Sequence, residues 1–347
     1  MTPLCPTCGT FAFLDSLACG VCGTALGFHY PSLGFIVADP AGTERDGERW
    51  FECGNRVWGC NWLINESDES GQCFSCRLTR RQPPLSDTVA RERLAETDVA
   101  KRRLLIQLLD LGLPITPYYE QEGGLGFDLI SSYSTNEPVM IGHANGIITI
   151  DLAESLDAHR EALRVHLGEP YRTMLGHFRH EIGHYYQRVL VRGDEAWAEC
   201  RALFGDERAS YRDAIARHYQ FGAPEEWADS YISEYATMHP WEDFAECFAH
   251  YLHITGTLQT ASAAGVLLQI QQVPGAADHD VDPQDSYATL GIERMLEDWK
   301  WFSLVFNRVN RTMGQKDLYP FTLVEPVRRK LGYVHALVVG TLAAASR

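Results

Sequence analysis

Apolar residues recur every three or four positions along three parts of the chain, which is the spacing of side chains on one face of an α-helix. Between Asp87 and Leu111 this face consists of Leu94, Val99, Leu104, Leu105, Leu108 and Leu109. Further on it consists of Met174, Leu175, Phe178, Ile182, Tyr185 and Val189. After His239 it consists of Trp241, Phe244, Phe248 and Leu252. We therefore predict three amphipathic helices, the last of which can begin at Pro240.

One segment has the character of a β-strand. Residues 146–152 are mostly β-branched or aliphatic and follow the turn-forming pair Asn145-Gly146, which is typical of a strand opened by a tight turn. Most of the patterns after Asp157 are helical. We therefore expect a small sheet followed by a mainly helical region.

Composition and charge narrow the class of protein. The chain has 347 residues, of which 45% are hydrophobic and 22% charged, as in ordinary globular proteins. The formal net charge of −16 argues against nucleic acid as the main ligand, because phosphate backbones are bound by basic surfaces. The sequence has no apolar run of membrane-spanning length and no secretory signal pattern. We expect a cytoplasmic protein without a membrane partner, in which paired cysteines bind metal more often than they form disulfides.

Eight of the ten cysteines lie before residue 77 and form two groups. The first group, with two CxxC pairs typical of a zinc ribbon, consists of Cys5, Cys8, Cys19 and Cys22. The second, with one CxxC pair, consists of Cys53, Cys60, Cys73 and Cys76. We predict a structural Zn²⁺ in each group, with a redox dithiol, unrelated thiols or pairing between the groups as alternatives. Because residues 1–80 contain few apolar side chains, zinc would supply much of the folding free energy there.

The second predicted helix contains an HExxH pattern, His180-Glu181-Ile182-Gly183-His184. His180 and His184 lie one turn apart on one helix face, so both imidazoles can bind a single ion. Glu181 lies beside them, where it can take a proton from a metal-bound water. This is the arrangement that a zinc hydrolase needs. The alternative is a buried helix with two structural histidines.

A catalytic zinc needs a third protein ligand and an open position for water. The metzincin extension would place Gly at position 187 and His at position 190, but the chain has Gln187 and Leu190. The third predicted helix instead carries four ionisable residues at helical spacing on one face. These are Glu242, Glu246, His250 and His253.

This third segment resembles the glutamate helix of gluzincin metallopeptidases, in which Ala, an acidic or amide residue and then Phe-Ala follow the liganding Glu at set positions. The resemblance implies Glu242 as the third zinc ligand. Glu246, one turn further on, would accept a hydrogen bond from a liganding imidazole and fix its tautomer. The alternatives left open are Glu246, Asp243 or His250 as the ligand, and an acidic helix face that is merely solvated.

The segment between these two helices contains candidates to donate a hydrogen bond to the oxyanion that forms at a hydrated carbonyl. They are Tyr211, His218, Tyr219, Tyr231 and Tyr235. We rank Tyr235 and His218 first, with a purely structural role as the alternative for each.

Several tracts together resemble a bacterial family of zinc-binding metallopeptidases with an N-terminal zinc ribbon. They are residues 60–62, 78–80, 176–186, 249–253 and 310–314. The resemblance covers nearly the full length and implies an α+β protein in two domains. Residues 1–82 would form a zinc-ribbon region with two four-cysteine sites. Residues 83–347 would form a zincin-like, mainly helical, gluzincin-like metallopeptidase domain with a small sheet.

In such enzymes an edge strand binds the substrate backbone by β-addition. The strand Ile147–Leu152 is either that edge strand or an ordinary core strand.

We therefore predict a zinc-dependent peptidase with one catalytic and two structural Zn²⁺ ions. It would act on a peptide or protein substrate, and its ribbons would contact substrate or a protein partner. The alternative is a zinc-stabilised binding or regulatory module without turnover. Glu181 between two histidines favours the enzyme, because a scaffold has no need of that carboxylate. Hydrolysis of a non-peptide amide would use the same groups.

Overall fold

The computed structural model describes residues 3–132, 139, 141–152, 173–273 and 279–345. The chain forms two compact units, Met1–Arg160 and Glu161–Arg347. In the described residues, the first unit contains both cysteine groups and three small sheets, and the second is mainly helical. This is the predicted α+β class. The predicted domain boundary at residue 82 lies inside the first unit.

The strands of the first unit are short. Their bounds are β1 (Leu26–His29), β2 (Gly34–Val37), β3 (Thr43–Arg45), β4 (Glu48–Glu52), β5 (Leu63–Asn65), β6 (Thr79–Arg81), β7 (Gly126–Ile130), β8 (Gly142–Ala144) and β9 (Ile147–Asp151). β1 pairs with β2, and β3, β4 and β5 form an antiparallel sheet in that order. The third sheet has the order β6-β7-β9-β8, in which only β8 is antiparallel to its neighbour.

The expectation that Ile147–Leu152 is an edge strand is wrong. β9 pairs with β7 through Ile148↔Phe127 on one side and with β8 through Ile148↔His143 on the other. Among the described residues, both backbone edges of β9 are therefore paired inside the sheet from Ile147 to Thr149, so this part of the strand is not an edge. Ile148 and Ile150 are fully buried, as expected for the alternative of a core strand.

The helix predicted between Asp87 and Leu111 is α2 (Thr88–Asp110), which follows the short α1 (Phe74–Arg77). Asp87 begins α2, because its Oδ1 accepts a hydrogen bond from the Ala90 backbone N–H at 2.9 Å. α2 lies against the third sheet, where Lys101 Nζ is 5.8 Å from the ring centroid of Phe127 on β7. The apolar periodicity predicted this helix correctly.

The sheets nearest the cysteines enclose a hydrophobic core of their own. One cluster of its buried side chains consists of Ile36, Ala38, Trp50 and Leu63, and other buried apolar side chains of the same region are Leu26, Phe28, Phe35, Trp62 and Leu78. The strands around this core have only three to five residues each. Because strands this short are marginally stable, the cross-links of a metal ion would add to the stability of this region.

The second unit is built around one long helix. In the described residues, the helices of this unit are α3 (Met174–Leu190), α4 (Gly193–Phe204), α5 (Tyr211–Phe221), α6 (Pro240–Ala263), α7 (Ile292–Thr312) and α8 (Glu325–Ala345). Phe244, Phe248 and Leu252 of α6 are fully buried. Four of these helices, α3, α4, α7 and α8, pack against α6, and α3 makes the most extensive contact with it. In the described residues, no helix combines the length and apolar character needed to cross a membrane.

Candidate metal centres

The four cysteines of the first group converge at one point. Cys5 Sγ is 3.6 Å from Cys22 Sγ, and Cys8 Sγ is 3.7 Å from Cys19 Sγ. A disulfide would bring two sulfur atoms to about 2.05 Å. Four thiolates around one Zn²⁺ at about 2.3 Å each would lie about 3.8 Å apart. The sulfur separations therefore fit a tetrahedral zinc site.

The second group has the same geometry in a more enclosed setting. Cys53 Sγ is 3.7 Å from Cys76 Sγ, and Cys60 Sγ is 3.6 Å from Cys73 Sγ. All four side chains are buried, whereas Cys8 and Cys22 of the first group are exposed. The two groups remain separate, so the open possibility of pairing between them does not occur in the structure.

The third centre begins on α3. Thr173 starts this helix, because its Oγ1 accepts a hydrogen bond from the Gly176 backbone N–H at 3.0 Å. Phe178, Ile182 and Tyr186 are buried and hold α3 in the core. One turn separates His180 from His184, whose ring centroids are 4.9 Å apart. The helix thus presents two imidazoles on one face, as its sequence spacing predicts.

Glu242 of α6 meets both imidazoles. Its Oε2 is 2.9 Å from His180 Nε2 and 3.4 Å from His184 Nε2. Ligands about 2.05 Å from one tetrahedral Zn²⁺ would lie about 3.3 Å apart, so this donor set fits a zinc ion. Burial disfavours the charged form of Glu242, but the adjacent His184 and His180 outweigh this effect and hold its pKa well below the usual value.

Glu242 lies in the first turn of α6, where the helix dipole favours a carboxylate. His239 caps this turn, because its Nδ1 accepts a hydrogen bond from the Trp241 backbone N–H at 3.1 Å. Glu242 is only 2% exposed. A merely solvated acidic face is therefore excluded at this position.

Glu246 lies on the other side of the His180 ring. Its Oε1 is 2.7 Å from His180 Nδ1, and its Oε2 accepts a hydrogen bond from Ser233 Oγ at 2.7 Å. Burial lowers the pKa of His180, yet its bonds to Glu242 and Glu246 prevail and raise this pKa well above the usual value. The two carboxylates therefore create a field that favours a cation. Glu246 also leaves Nε2 as the nitrogen that faces Glu242.

The other candidate ligands have different partners. Asp243 Oδ2 is 2.6 Å from Lys330 Nζ, and His250 Nδ1 is 2.8 Å from the Tyr319 hydroxyl. Neither belongs to the group of donor atoms that lie within 4.8 Å of one another, which comprises His180, His184 and Glu242.

Glu181 is buried beside this group. Its Oε1 is 3.3 Å from His177 Nε2, whereas Oε2 has no hydrogen-bond partner among the described residues. Burial raises the pKa of Glu181, but His177 and the two other histidines outweigh this effect, so the pKa is lowered and the carboxylate form is favoured. A buried carboxylate oxygen without such a partner is suited to accept a hydrogen bond from a small ligand such as water.

Gly183 allows α3 and α6 to approach closely. A β-carbon added at Gly183 would lie 2.8 Å from Ala245 Cα and 3.2 Å from Phe248 Cβ. Ala245 is fully buried at the same crossing. The small residues at 183 and 245 therefore bring Glu242 within reach of the two histidines.

The structure places the candidate oxyanion donors differently. The Tyr235 ring centroid is 5.7 Å from that of His180, and burial, then the charge of Glu242, raises the Tyr235 pKa well above the usual value. Tyr211, which we ranked lower, donates a hydrogen bond to Glu242 Oε1 at 2.9 Å. Among the described residues, no hydrogen bond, ion pair or ring contact joins His218 to His180, His184 or Glu242. The catalytic role of His218 stays a prediction.

Sequence reasoning missed Ser233 and undervalued Tyr211. Both lie in the segment between α4 and α6, where short helices and 3₁₀ turns follow no long periodic pattern. Nothing in the sequence around Ser233, two residues before the 3₁₀ turn Tyr235–Thr237, indicates that its hydroxyl bonds to Glu246. The only available signal for Tyr211 was that it is a phenol in the segment joining the two helices of the site.

Comparisons with known proteins place the chain among zinc proteins. A zinc-ribbon domain model matches residues 4–87. A second model, described as "Putative zinc-binding metallo-peptidase", matches residues 90–337, and the chain belongs to that family.

Relatives extend along the whole chain. An uncharacterized protein of Mycobacterium bovis is 42% identical over 338 residues, which covers 96% of this chain and 94% of the relative. Uncharacterized proteins of two Mycobacterium tuberculosis strains match to the same extent. No solved structure matches the chain.

Proposed function

We propose that the protein is a zinc-dependent peptidase whose site is formed by α3 and α6. The observation that carries this proposal is the convergence of His180, His184 and Glu242 beside the carboxylate of Glu181. Zn²⁺ held by these three residues would act as a Lewis acid, polarising a carbonyl and lowering the pKa of water. Membership of a zinc metallopeptidase family supports the same function.

Glu181 is the proton carrier in this proposal. As the oxygen of a water molecule forms a bond to the scissile carbonyl carbon, Glu181 takes one proton from that water. It then delivers the proton to the leaving amine nitrogen when the carbon–nitrogen bond breaks. The lowered pKa of Glu181 means that the carboxylate begins in the form that accepts a proton.

The phenols supply hydrogen-bond donors. The pKa of Tyr235 and that of Tyr211 are both raised, by burial first and then by the charge of Glu242. Both therefore keep their protons at neutral pH. Because Tyr211 already donates to Glu242 Oε1, we assign oxyanion stabilisation to Tyr235 and orientation of Glu242 to Tyr211.

The two cysteine centres complete a proposed total of three Zn²⁺ ions per chain. We infer that both are structural, because four thiolates leave no open position for substrate. Phe13 and Val21 of the first ribbon are 82% and 71% exposed. Exposed apolar side chains of this kind favour contact of the ribbon with a protein substrate or partner.

The decisive experiment compares Glu181→Gln with the wild type on a peptide library. We expect the variant to retain three zinc ions and to lose hydrolysis by a factor of about 10²–10⁴. Glu195→Gln is the matched control, since Glu195 is an exposed glutamate on α4. Wild-type cleavage by Glu181→Gln would refute the mechanism. Absence of cleavage by the wild type, with all three zinc ions bound, would favour a binding module without turnover.

A further inference from the structure

Lys330 of α8 is a buried cation that the proposed reaction does not use. It is 5% exposed, and its Nζ is 2.6 Å from Asp243 Oδ2. Nζ also donates a hydrogen bond to the Ser230 carbonyl at 2.9 Å and lies 4.3 Å from the Tyr231 ring centroid. An ammonium group removed from water needs such partners. The carboxylate, the carbonyl and the ring together fix its position.

These contacts join the first turn of α6, which carries Glu242, to the chain segment that precedes it. Asp243 directly follows Glu242 and is 1% exposed. Ser230 begins the connection 230–238, which leads to Ser233 and to Tyr235. A single side chain of α8 therefore holds this connection next to the first turn of α6.

The connection acts on the metal centre through Ser233. Its Oγ donates to Glu246 Oε2 at 2.7 Å, and the other oxygen of Glu246 is 2.7 Å from His180 Nδ1. Ser233 Oγ also accepts a hydrogen bond from the Ala236 backbone N–H at 3.1 Å, which ties it to the turn that carries Tyr235. Movement of residues 230–238 would therefore disturb both Glu246 and the phenol beside His180.

We propose that Lys330 is a positioning residue of the third metal centre. It anchors the connection 230–238 through the Ser230 carbonyl and the Tyr231 ring. Ser233 then keeps Glu246 directed at His180. This inference rests on the proposed function, because it assigns Lys330 to the same site. Without Lys330 the imidazole of His180 loses its fixed orientation, and the centre binds zinc more weakly.

If Lys330 only stabilised the fold, its replacement would lower the unfolding temperature without a separate effect on zinc affinity. Lys330→Met alone leaves Asp243 buried without its cation, which destabilises the fold for reasons unrelated to the site. Lys330→Met with Asp243→Asn removes both charges and should recover most of the unfolding temperature. The anchor on Ser230 and Tyr231 is still missing in this double variant. Asp243→Asn alone also removes one charge of the pair, but it leaves Lys330 with the Ser230 carbonyl and the Tyr231 ring. It is therefore the reference for zinc affinity, and its unfolding temperature is measured beside that of the double variant.

The test measures zinc affinity by chelator competition, together with the unfolding temperature. We expect Asp243→Asn to bind the third zinc about as tightly as the wild type, and the double variant to bind it about tenfold more weakly. Lys300→Met serves as a control, because Lys300 is an exposed lysine on α7. Equal zinc affinity in Asp243→Asn and the double variant would overturn the role of Lys330. Absence of a third zinc in the wild type would instead overturn the proposed function.

Discussion

Gly183 faces Ala245 at the crossing of α3 and α6, where an added β-carbon would lie 2.8 Å from Ala245 Cα. Because the contact is with backbone rather than with the end of a flexible side chain, only a shift of the helices can relieve it. The absence of a side chain at Gly183 thus determines how closely Glu242 can approach His180 and His184.

Gly183→Ala is therefore expected to weaken zinc binding at the third centre. We expect a loss of about 1–3 kcal/mol in the free energy of unfolding from overpacking, together with reduced retention of one zinc ion against a chelator. Gly340→Ala on α8 is the matched control, because no atom lies within 4 Å of its added β-carbon. Full retention of three zinc ions in Gly183→Ala would contradict this account.

Glu246→Gln tests the carboxylate behind His180. The amide can keep a hydrogen bond to Nδ1 but lacks the charge that raises the basicity of the ring. We expect about 10–100-fold weaker zinc binding at the third centre with the other two ions unaffected. Chelator competition measures this change, with Glu195→Gln as the control. If Glu246 were itself the third ligand, Glu242→Gln would have the smaller effect of the two.

Tyr235→Phe and Tyr211→Phe separate the proposed roles of the two phenols. Loss of an oxyanion donor should reduce kcat by about 10²–10³ with little change in KM, and we expect this for Tyr235→Phe. Tyr211→Phe removes the bond to Glu242 Oε1 and should weaken zinc retention as well. Steady-state kinetics and zinc content of both variants distinguish these outcomes. An unchanged kcat for Tyr235→Phe would leave Tyr211 or His218 as the donor.

Cys60→Ser tests the dependence of the first unit on metal. Cys60 is buried in a region whose strands have only three to five residues each. We expect the loss of one zinc ion per chain and a fall of several kcal/mol in stability. Cys200→Ser is the control, because Cys200 is also buried but lies outside both cysteine groups. A Cys60→Ser protein with the same zinc content as the wild type would show that Cys60 is not needed to hold an ion in the second group.

His253 provides a pH dependence away from the proposed ligands. It packs against Trp299 and Tyr319, and burial lowers its pKa to about 3, whereas the unfolded chain has the usual value of about 6.5. Between these values the unfolded state binds more protons. The free energy of unfolding should therefore fall as the pH falls from about 6.5 towards 3, by up to about 1.4 kcal/mol per pH unit.

Urea unfolding of the wild type and His253→Gln at pH 7 and pH 5 measures this contribution. The variant should show the shallower loss of stability. Zinc release at low pH affects both proteins and cancels in the difference. Equal slopes would mean that His253 does not remain neutral in the folded state.

The helices of the second unit and the pair of candidate histidine ligands could be predicted from sequence because both depend on local spacing. His180 and His184 lie one turn apart on any helix. Local spacing only put Glu242 on one helix face with Glu246, His250 and His253, and the resemblance to the gluzincin glutamate helix was needed to choose Glu242. The position of β9 in the sheet could not be predicted from local spacing, because the order of strands depends on pairing with distant residues such as His143 on β8.

The same limit applies to the contacts that orient the site. Ser233 contacts Glu246 from an irregular connection, and Lys330 contacts Asp243 and the Ser230 carbonyl from a helix near the C terminus. Their side chains are directed by tertiary packing, and neither lies in a periodic pattern that points to a partner. The sequence thus identified the candidate ligands that the structure brings together, but not the side chains that contact and orient them.

α6 carries Glu242, Asp243 and Glu246 on two successive turns of one uninterrupted 24-residue helix. At about 1.5 Å of rise per residue, the backbone positions of these three residues span about 6 Å along the helix axis. A small rotation or translation of α6 would move Glu242, the carboxylate that pairs with Lys330 and the carboxylate that contacts His180 Nδ1 at the same time. The centre should accordingly assemble or fail as a whole, with few partly competent states between.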